Sequence, residues 1–278
     1  MAAARAPCPP ATGFSSRLEL ETSHRSAARS SSASALPGRL RATAVSAGAV
    51  SSDSKQGKSR SPVVVIDNYD SFTYNICQYL GDLGCEFVVY RNDEISVQAL
   101  KSKRPRGILI SPGPGTPQDS GISLQTVKEL GPSIPLFGVC MGLQCIGEAF
   151  GGKIVRAPNG VMHGKVSSVY YDEKGEPGIF SGLPNPFTAC RYHSLVIERE
   201  TFPGDELEIT AWTDDGLIMG VRHRKYKHIQ AVQFHPESII TQNGKQILEN
   251  YTRLMNLQES RVEDEEPFLA GRRGGTGA

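Results

Sequence analysis

Three short motifs in this chain combine residue types that could do chemistry. In Gly138-Val139-Cys140-Met141-Gly142 a cysteine stands between small residues, where a buried apolar run gives way to a helical stretch. That is the form of a nucleophile elbow, in which the chain turns sharply and presents one side chain at the top edge of a sheet. The helix that follows would aim its N-terminal N–H groups and dipole at the sulfur, favouring thiolate over thiol. Taken alone, the motif reads equally as a buried structural cysteine. A nucleophile needs a base, and His235 ends the strand-like run Gln230 to Phe234, with Glu237 two residues further on. If the extended chain continues through Pro236, residues i and i+2 point the same way and the carboxylate can hold the imidazole. A solvent-facing histidine is the blander reading, and an H-x-E metal pair lacks a third ligand in any nearby motif. The third motif is Ser111-Pro112-Gly113-Pro114-Gly115, again at a strand's end. Its glycines permit close backbone approach, so an amide there could complete an oxyanion hole with the N–H of Met141. It is no P-loop, because Thr116-Pro117-Gln118 follows where Gly-Lys-Ser/Thr is needed, and an ordinary turn stays open.

The elements that must position these motifs alternate. Val63–Ile66 reads as a strand, Phe72–Leu83 as a helix ended by Gly84, Glu86–Tyr90 as a strand and Ile95–Lys103 as a short helix. Gly107–Ile110 (strand), Leu124–Leu130 (helix), Pro135–Val139 (strand) and Met141–Phe150 (helix) continue the cycle. Such alternation through short loops predicts an α/β fold with a mostly parallel central sheet and helices on both faces. Ligands on such folds sit at the carboxyl ends of the strands, where all three motifs fall. The second half adds strands at Lys165–Tyr170, Phe187–Arg191, Leu207–Thr213, Leu217–Arg222 and Ile229–Gln233, then a helix at Gln242–Leu257. Residues 258–278 mix acids with Gly and Arg and read as a frayed, disordered tail.

The chain's 278 residues carry 30 Lys+Arg and 29 Asp+Glu, a formal charge of +1 that conceals an asymmetry. Residues 1–62 hold nine basic and three acidic residues and 14 serines, leaving a body of net −5. A body of that charge argues against nucleic acid as partner, and Arg222–His228, basic around one Tyr, reads as a solvated hairpin. No apolar run approaches the ~20 residues of a membrane span. The N-terminal segment is rich in Ser and Arg, poor in acid and without an apolar h-region, the pattern of an organellar transit peptide rather than a secretory signal. Its serine content points to a chloroplast presequence over 1–50, with 51–61 as a flexible leader before a single domain at 62–257. Six cysteines without paired spacing fit a reducing compartment, here the stroma.

Jointly, Gly138-Val-Cys-Met-Gly-Leu-Gln144, Ser111-Pro-Gly-Pro-Gly115 and Phe234-His-Pro-Glu237 resemble the class I, Cys-His-Glu, glutamine amidotransferases, with a flavodoxin-like fold, over Pro62 to Leu257. Within that family, Ile66 to Asn75, Met162 to Lys165 and Tyr192 to Leu195 resemble the glutaminase subunits of chorismate-using synthases, those of plant anthranilate synthases above all. The resemblance implies that Cys140, His235 and Glu237 form a catalytic triad that hydrolyses L-glutamine to glutamate and ammonia. It implies that Gly113 and Met141 supply the oxyanion hole, that Gln144, Ser194 and Leu195 hold the glutamine backbone groups, and that Gly113, Pro114 and Gly115 line the pocket. The ammonia would pass to a separate chorismate-binding alpha subunit, in a complex of two alpha and two beta chains that makes anthranilate for tryptophan. The same chemistry could instead feed aminodeoxychorismate synthesis for folate, and a silent regulatory module on the same fold is the rival from another class. No cofactor is implied on this chain, and Mg2+ only at the partner.

Overall fold

The computed structural model describes residues 60–158 and 160–272, with side chains as far as Arg261. The predicted presequence and most of the leader therefore lie outside the described residues, as do 273–278.

Five β-branched or apolar strands build the parallel part of the sheet: β1 (Val63–Asp67), β2 (Phe87–Arg91), β3 (Gly107–Ile110), β4 (Leu136–Val139) and β11 (Ile229–Val232). They lie in the order β2-β1-β3-β4-β11, each pair parallel. The connections run through α1 (Thr73–Asp82), α2 (Val97–Ser102), α3 (Ser123–Leu130) and α4 (Met141–Ala149). Period-two alternation in these strands serves two cores, because both faces are covered. Val63, Val65, Leu109, Phe137 and Val139 pack against Ile76 and Leu80 of α1 and against Ile247, Leu248 and Tyr251 of the last helix, α5 (Gly244–Arg272). Val64, Ile66, Ile108, Ile110 and Leu136 face α2, α3 and α4 through Leu100, Val127, Leu130 and Ile146. Nearly all of these side chains are fully buried, each contributing about 1.5–3 kcal/mol relative to exposure.

Beyond β11 the sheet turns antiparallel over β10 (Ile218–His223), β9 (Leu207–Thr213), β6 (Met162–Tyr171) and β7 (Phe187–His193), giving nine strands in all. A separate two-stranded ribbon, β5 (Ile154–Arg156) with β8 (Leu195–Ile197), was not evident in the sequence. β6 starts three residues before the expected Lys165 and accommodates its extra residue as an irregularity between His163 and Lys165.

Two expectations need correction. The basic run 222–228 is not a wholly solvated hairpin: Arg222 and His223 belong to β10 and are buried, Arg222 pairing with Glu208 at 2.7 Å. Only the turn after them is exposed, and the His223 ring caps it by accepting the Lys225 and Tyr226 N–H groups. The last helix also does not end at Leu257, since 258–272 continue it. Glu259, on the added stretch, pairs with Arg106 at 3.0 Å and ties it to the domain.

Candidate active site

Cys140 stands at the junction of β4 and α4 with φ 52° and ψ −98°, a conformation that costs any residue with a Cβ. Its N–H donates to Val232 O at 2.8 Å, which fixes the turn to the end of β11. The flanking glycines are there because nothing larger fits. A Cβ on Gly138 would stand 2.6 Å from the Gly142 carbonyl carbon, and one on Gly142 would stand 2.6 Å from Ile110 O. Met141 is the first residue of α4, so its N–H has no acceptor within the helix. Its side chain is buried in the core.

His235 and Glu237 meet, but not by the route expected. β11 ends at Val232, and the pair is brought together in a turn in which Ser238 N–H donates to His235 O. His235 Nδ1 lies 2.6 Å from Glu237 Oε1, and both side chains are buried. The backbone of His235 is held on both sides, its N–H donating to Cys190 O at 3.0 Å and its carbonyl accepting from Thr241 Oγ1 at 2.5 Å. Gly244 makes room for this turn, since a Cβ there would lie 1.9 Å from Pro236 O. Burial alone would push the imidazole down. The hydrogen bonds and charges of Cys140 and Glu237 outweigh it and push it up to about 11. Nε2 is buried without a hydrogen-bond partner, so Glu237 fixes the ring, and His235 and Cys140 line the same cleft. Cys145, five residues on, is no rival nucleophile: burial pushes its thiol up to about 12, and Sγ bonds to Ser120 Oγ.

The Ser111–Gly115 loop is set by the turn after β1. Asn68 N–H donates to Ser111 Oγ at 2.8 Å and Asn68 Nδ2 to Ser111 O at 3.0 Å, while Asn68 Oδ1 accepts from Ser123 Oγ and Asn92 Nδ2. Gly113 lies so close to this residue that a Cβ would come within 2.5 Å of Asn68 Cβ. Gly115 adopts φ 85°, a left-handed conformation suited to glycine.

These pieces surround one cleft of about 480 Å³. Gly113, Pro114, Gly115, Cys140, Gln144, Ser194, Leu195 and His235 all line it. Glu237 stands behind His235 rather than in the wall. Tyr69, Phe72, His163 and Tyr192 form an aromatic rim, with His163 and Tyr192 stacked at 4.4 Å and 8°. Phe72 is half exposed, and so is not core. His193 is a structural group rather than a second base: Arg191 Nε donates to its Nε2 at 3.1 Å, and its Nδ1 lies 3.2 Å from Leu195 O. Burial and the Arg191 charge push its imidazole down to about 3, so it stays neutral with the proton on Nδ1. Sequence reasoning missed buried Arg191, the Asn68 bracket and Gln233, whose Nε2 lies 3.5 Å from Cys140 Sγ. A glutamine ending an apolar strand run, two residues before His235, was the available signal for the last. Among the described residues no group of three or more His, Cys, Asp or Glu could hold a metal ion.

A cysteine on an elbow, a carboxylate-held histidine and a glycine loop in one cleft form a set suited to acyl transfer through a thioester. The model of the family "Glutamine amidotransferase class-I" matches residues 64–254, well over half of the chain. The chain belongs to this family. Among similar proteins, the chloroplastic anthranilate synthase beta subunit 1 of Arabidopsis thaliana is 74% identical over 203 residues, covering 73% of this chain and 74% of the relative. Anthranilate synthase component 2 of Cyanophora paradoxa is 56% identical over 194 residues, 70% of this chain and all of the relative. A solved GMP synthase protein of Thermoplasma acidophilum superposes with a TM-score of 0.62 at 26% identity, over 74% of this chain and 97% of its own. The amidotransferase domain thus spans nearly everything described.

Proposed function

We propose that this chain is the glutamine-hydrolysing component of a chloroplast anthranilate synthase, supplying ammonia to a chorismate-binding alpha chain at the head of tryptophan synthesis. The observation that carries the reading is the placing of Cys140, at φ 52°, with the His235–Glu237 couple at one cleft of about 480 Å³. The 74% identity to the plant beta subunit supports the choice of synthase and compartment. Cys140 Sγ attacks the side-chain carboxamide carbon of glutamine, and the Met141 and Gly113 amides receive the charge that develops on oxygen. His235, held by Glu237, protonates the departing ammonia and then takes a proton from the water that hydrolyses the γ-glutamyl thioester. Gln144, Ser194 and Leu195 orient the substrate's amino and carboxylate groups, with Pro114 and Gly115 closing the pocket wall. The partner, in a complex of two alpha and two beta chains, binds chorismate with Mg2+ and releases anthranilate and pyruvate.

The test uses this chain with its alpha partner. Cys140→Ser removes anthranilate formation from glutamine and spares the reaction with added ammonia. Equal loss in both assays contradicts the assignment. Co-purification with an aminodeoxychorismate enzyme alone moves the chain to folate synthesis.

A further inference from the structure

Gln233 follows β11 directly, two residues before His235, and is fully buried. Its backbone N–H donates to Met219 O at 2.9 Å, and its side chain lies against Cys140, which lines the cleft. The carboxamide spans two groups. Nε2 lies 3.5 Å from Cys140 Sγ, and Oε1 lies 3.5 Å from Nε2 of Gln144, which also donates to Leu195 O at 3.3 Å. The partners fix which end is nitrogen: turned over, the amide would set its NH2 against that of Gln144, donor facing donor. The amide is therefore oriented by one substrate-pocket residue and presents an N–H to the sulfur. A methionine would fill the same volume without burying a polar group that costs about 1–3 kcal/mol when poorly matched.

We propose that Gln233 is a further working residue of this site, donating an N–H···S hydrogen bond that holds the Cys140 sulfur in its attacking position and stabilises the thiolate, with Gln144 setting the amide's orientation. The inference rests on Cys140 being the nucleophile. A hydrogen bond that favours the charged form of its acceptor makes that form more abundant at neutral pH. It also couples the sulfur to Gln144 and to the Leu195 carbonyl, on the wall where the glutamine backbone groups bind.

The experiment compares wild type with Gln233→Met, which removes the N–H, and Gln233→Glu, which keeps the shape and places a carboxylate by the sulfur. Alkylation of Cys140 by iodoacetamide is followed by mass spectrometry across pH, beside steady-state glutaminase kinetics in the complex. At pH 7 the Met variant alkylates about 10-fold more slowly, the loss of one charge-assisted hydrogen bond, and the Glu variant more slowly again. The midpoint of the alkylation profile moves up, and kcat falls while KM stays within about threefold. Folded variants with wild-type alkylation profiles overturn the proposal. If neither variant folds, the side-chain amide resonances of Gln233 in isotopically labelled wild type decide: they shift through the alkylation midpoint, and their constancy refutes the hydrogen bond. Failure of the underlying reading is separate. It shows as wild-type enzyme that keeps glutamine-dependent activity after Cys140 is fully alkylated.

Discussion

The backbone of Cys140 offers a test of whether the elbow stores strain. At φ 52° and ψ −98° it lies outside the ordinary left-handed basin, in a region that only glycine enters without steric cost. Strain of this kind costs about 1–3 kcal/mol. Cys140→Ala and Cys140→Gly both lose the sulfur and its burial, so their difference isolates the Cβ. At an unstrained position the glycine variant is less stable than alanine by about 0.5–1 kcal/mol, through its larger unfolded-state freedom. Here relief of strain opposes that term and exceeds it, and Cys140→Gly comes out more stable than Cys140→Ala by about 1 kcal/mol. For a domain of this size that is a melting-temperature difference of about 2–4 °C. Urea and thermal unfolding of both variants, with Ala231→Gly in β11 as the unstrained control, measure it. A glycine variant less stable than alanine by the ordinary 0.5–1 kcal/mol refutes the claim that this turn is held under strain.

Two further outcomes follow from the geometry. Gly142→Ala places a methyl 2.6 Å from the Ile110 carbonyl oxygen, a backbone atom that cannot swing aside, so α4 must move off β3. The expected cost is about 1–3 kcal/mol in stability, and a displacement near 1 Å at the nucleophile lowers kcat for glutamine about 100-fold. Glutamine hydrolysis in a variant whose fold is verified by circular dichroism checks it. His193 should make the protein acid-sensitive. Its folded imidazole is pushed down to about 3, so between pH 6.5 and 3 the unfolded chain binds a proton that the native state refuses, and stability falls as pH falls. From pH 7 to pH 5 wild type should lose about 2 kcal/mol more than His193→Gln, read from urea midpoints at the two pH values. His235 runs the other way: its imidazole is raised, so its contribution is full below pH 6.5 and is lost as pH climbs toward 11.

The parts of this molecule legible in its sequence are those whose cause is local. Gly107–Ile110 and Leu207–Thr213 fall where expected because a short apolar or β-branched run between turn residues needs no distant partner to be recognised. The elbow is legible for the same reason: Gly138, Cys140 and Gly142 carry their steric argument within five residues. β5 and β8 were missed because each is three residues long and exists only by pairing with the other, Ile154 opposite Ile197. The contact between His235 and Glu237 was expected for a wrong reason, since a turn and an extended segment can both bring residues i and i+2 together.

The site residues that escaped notice share a physical property. Asn68, Arg191 and Gln233 are polar and buried, and Asn68 and Gln233 meet partners that local spacing cannot supply. Asn68 bonds across 43 residues to Ser111 and Gln233 reaches across 93 to Cys140. Four strands, β1, β3, β4 and β11, deliver their carboxyl ends to one place, and each leaves a polar group there: Asn68, Ser111, Cys140 and Gln233. In a sheet buried on both faces, a polar residue just past a strand's end must find a partner on the neighbouring strand's end or incur its desolvation cost. The strand order β1-β3-β4-β11 therefore dictates who those partners are: Asn68 meets Ser111 across the first gap, and Cys140 meets Gln233 across the last. Chemistry readable as separate motifs becomes a site through these joins, and the joins follow from strand order, which a motif does not carry.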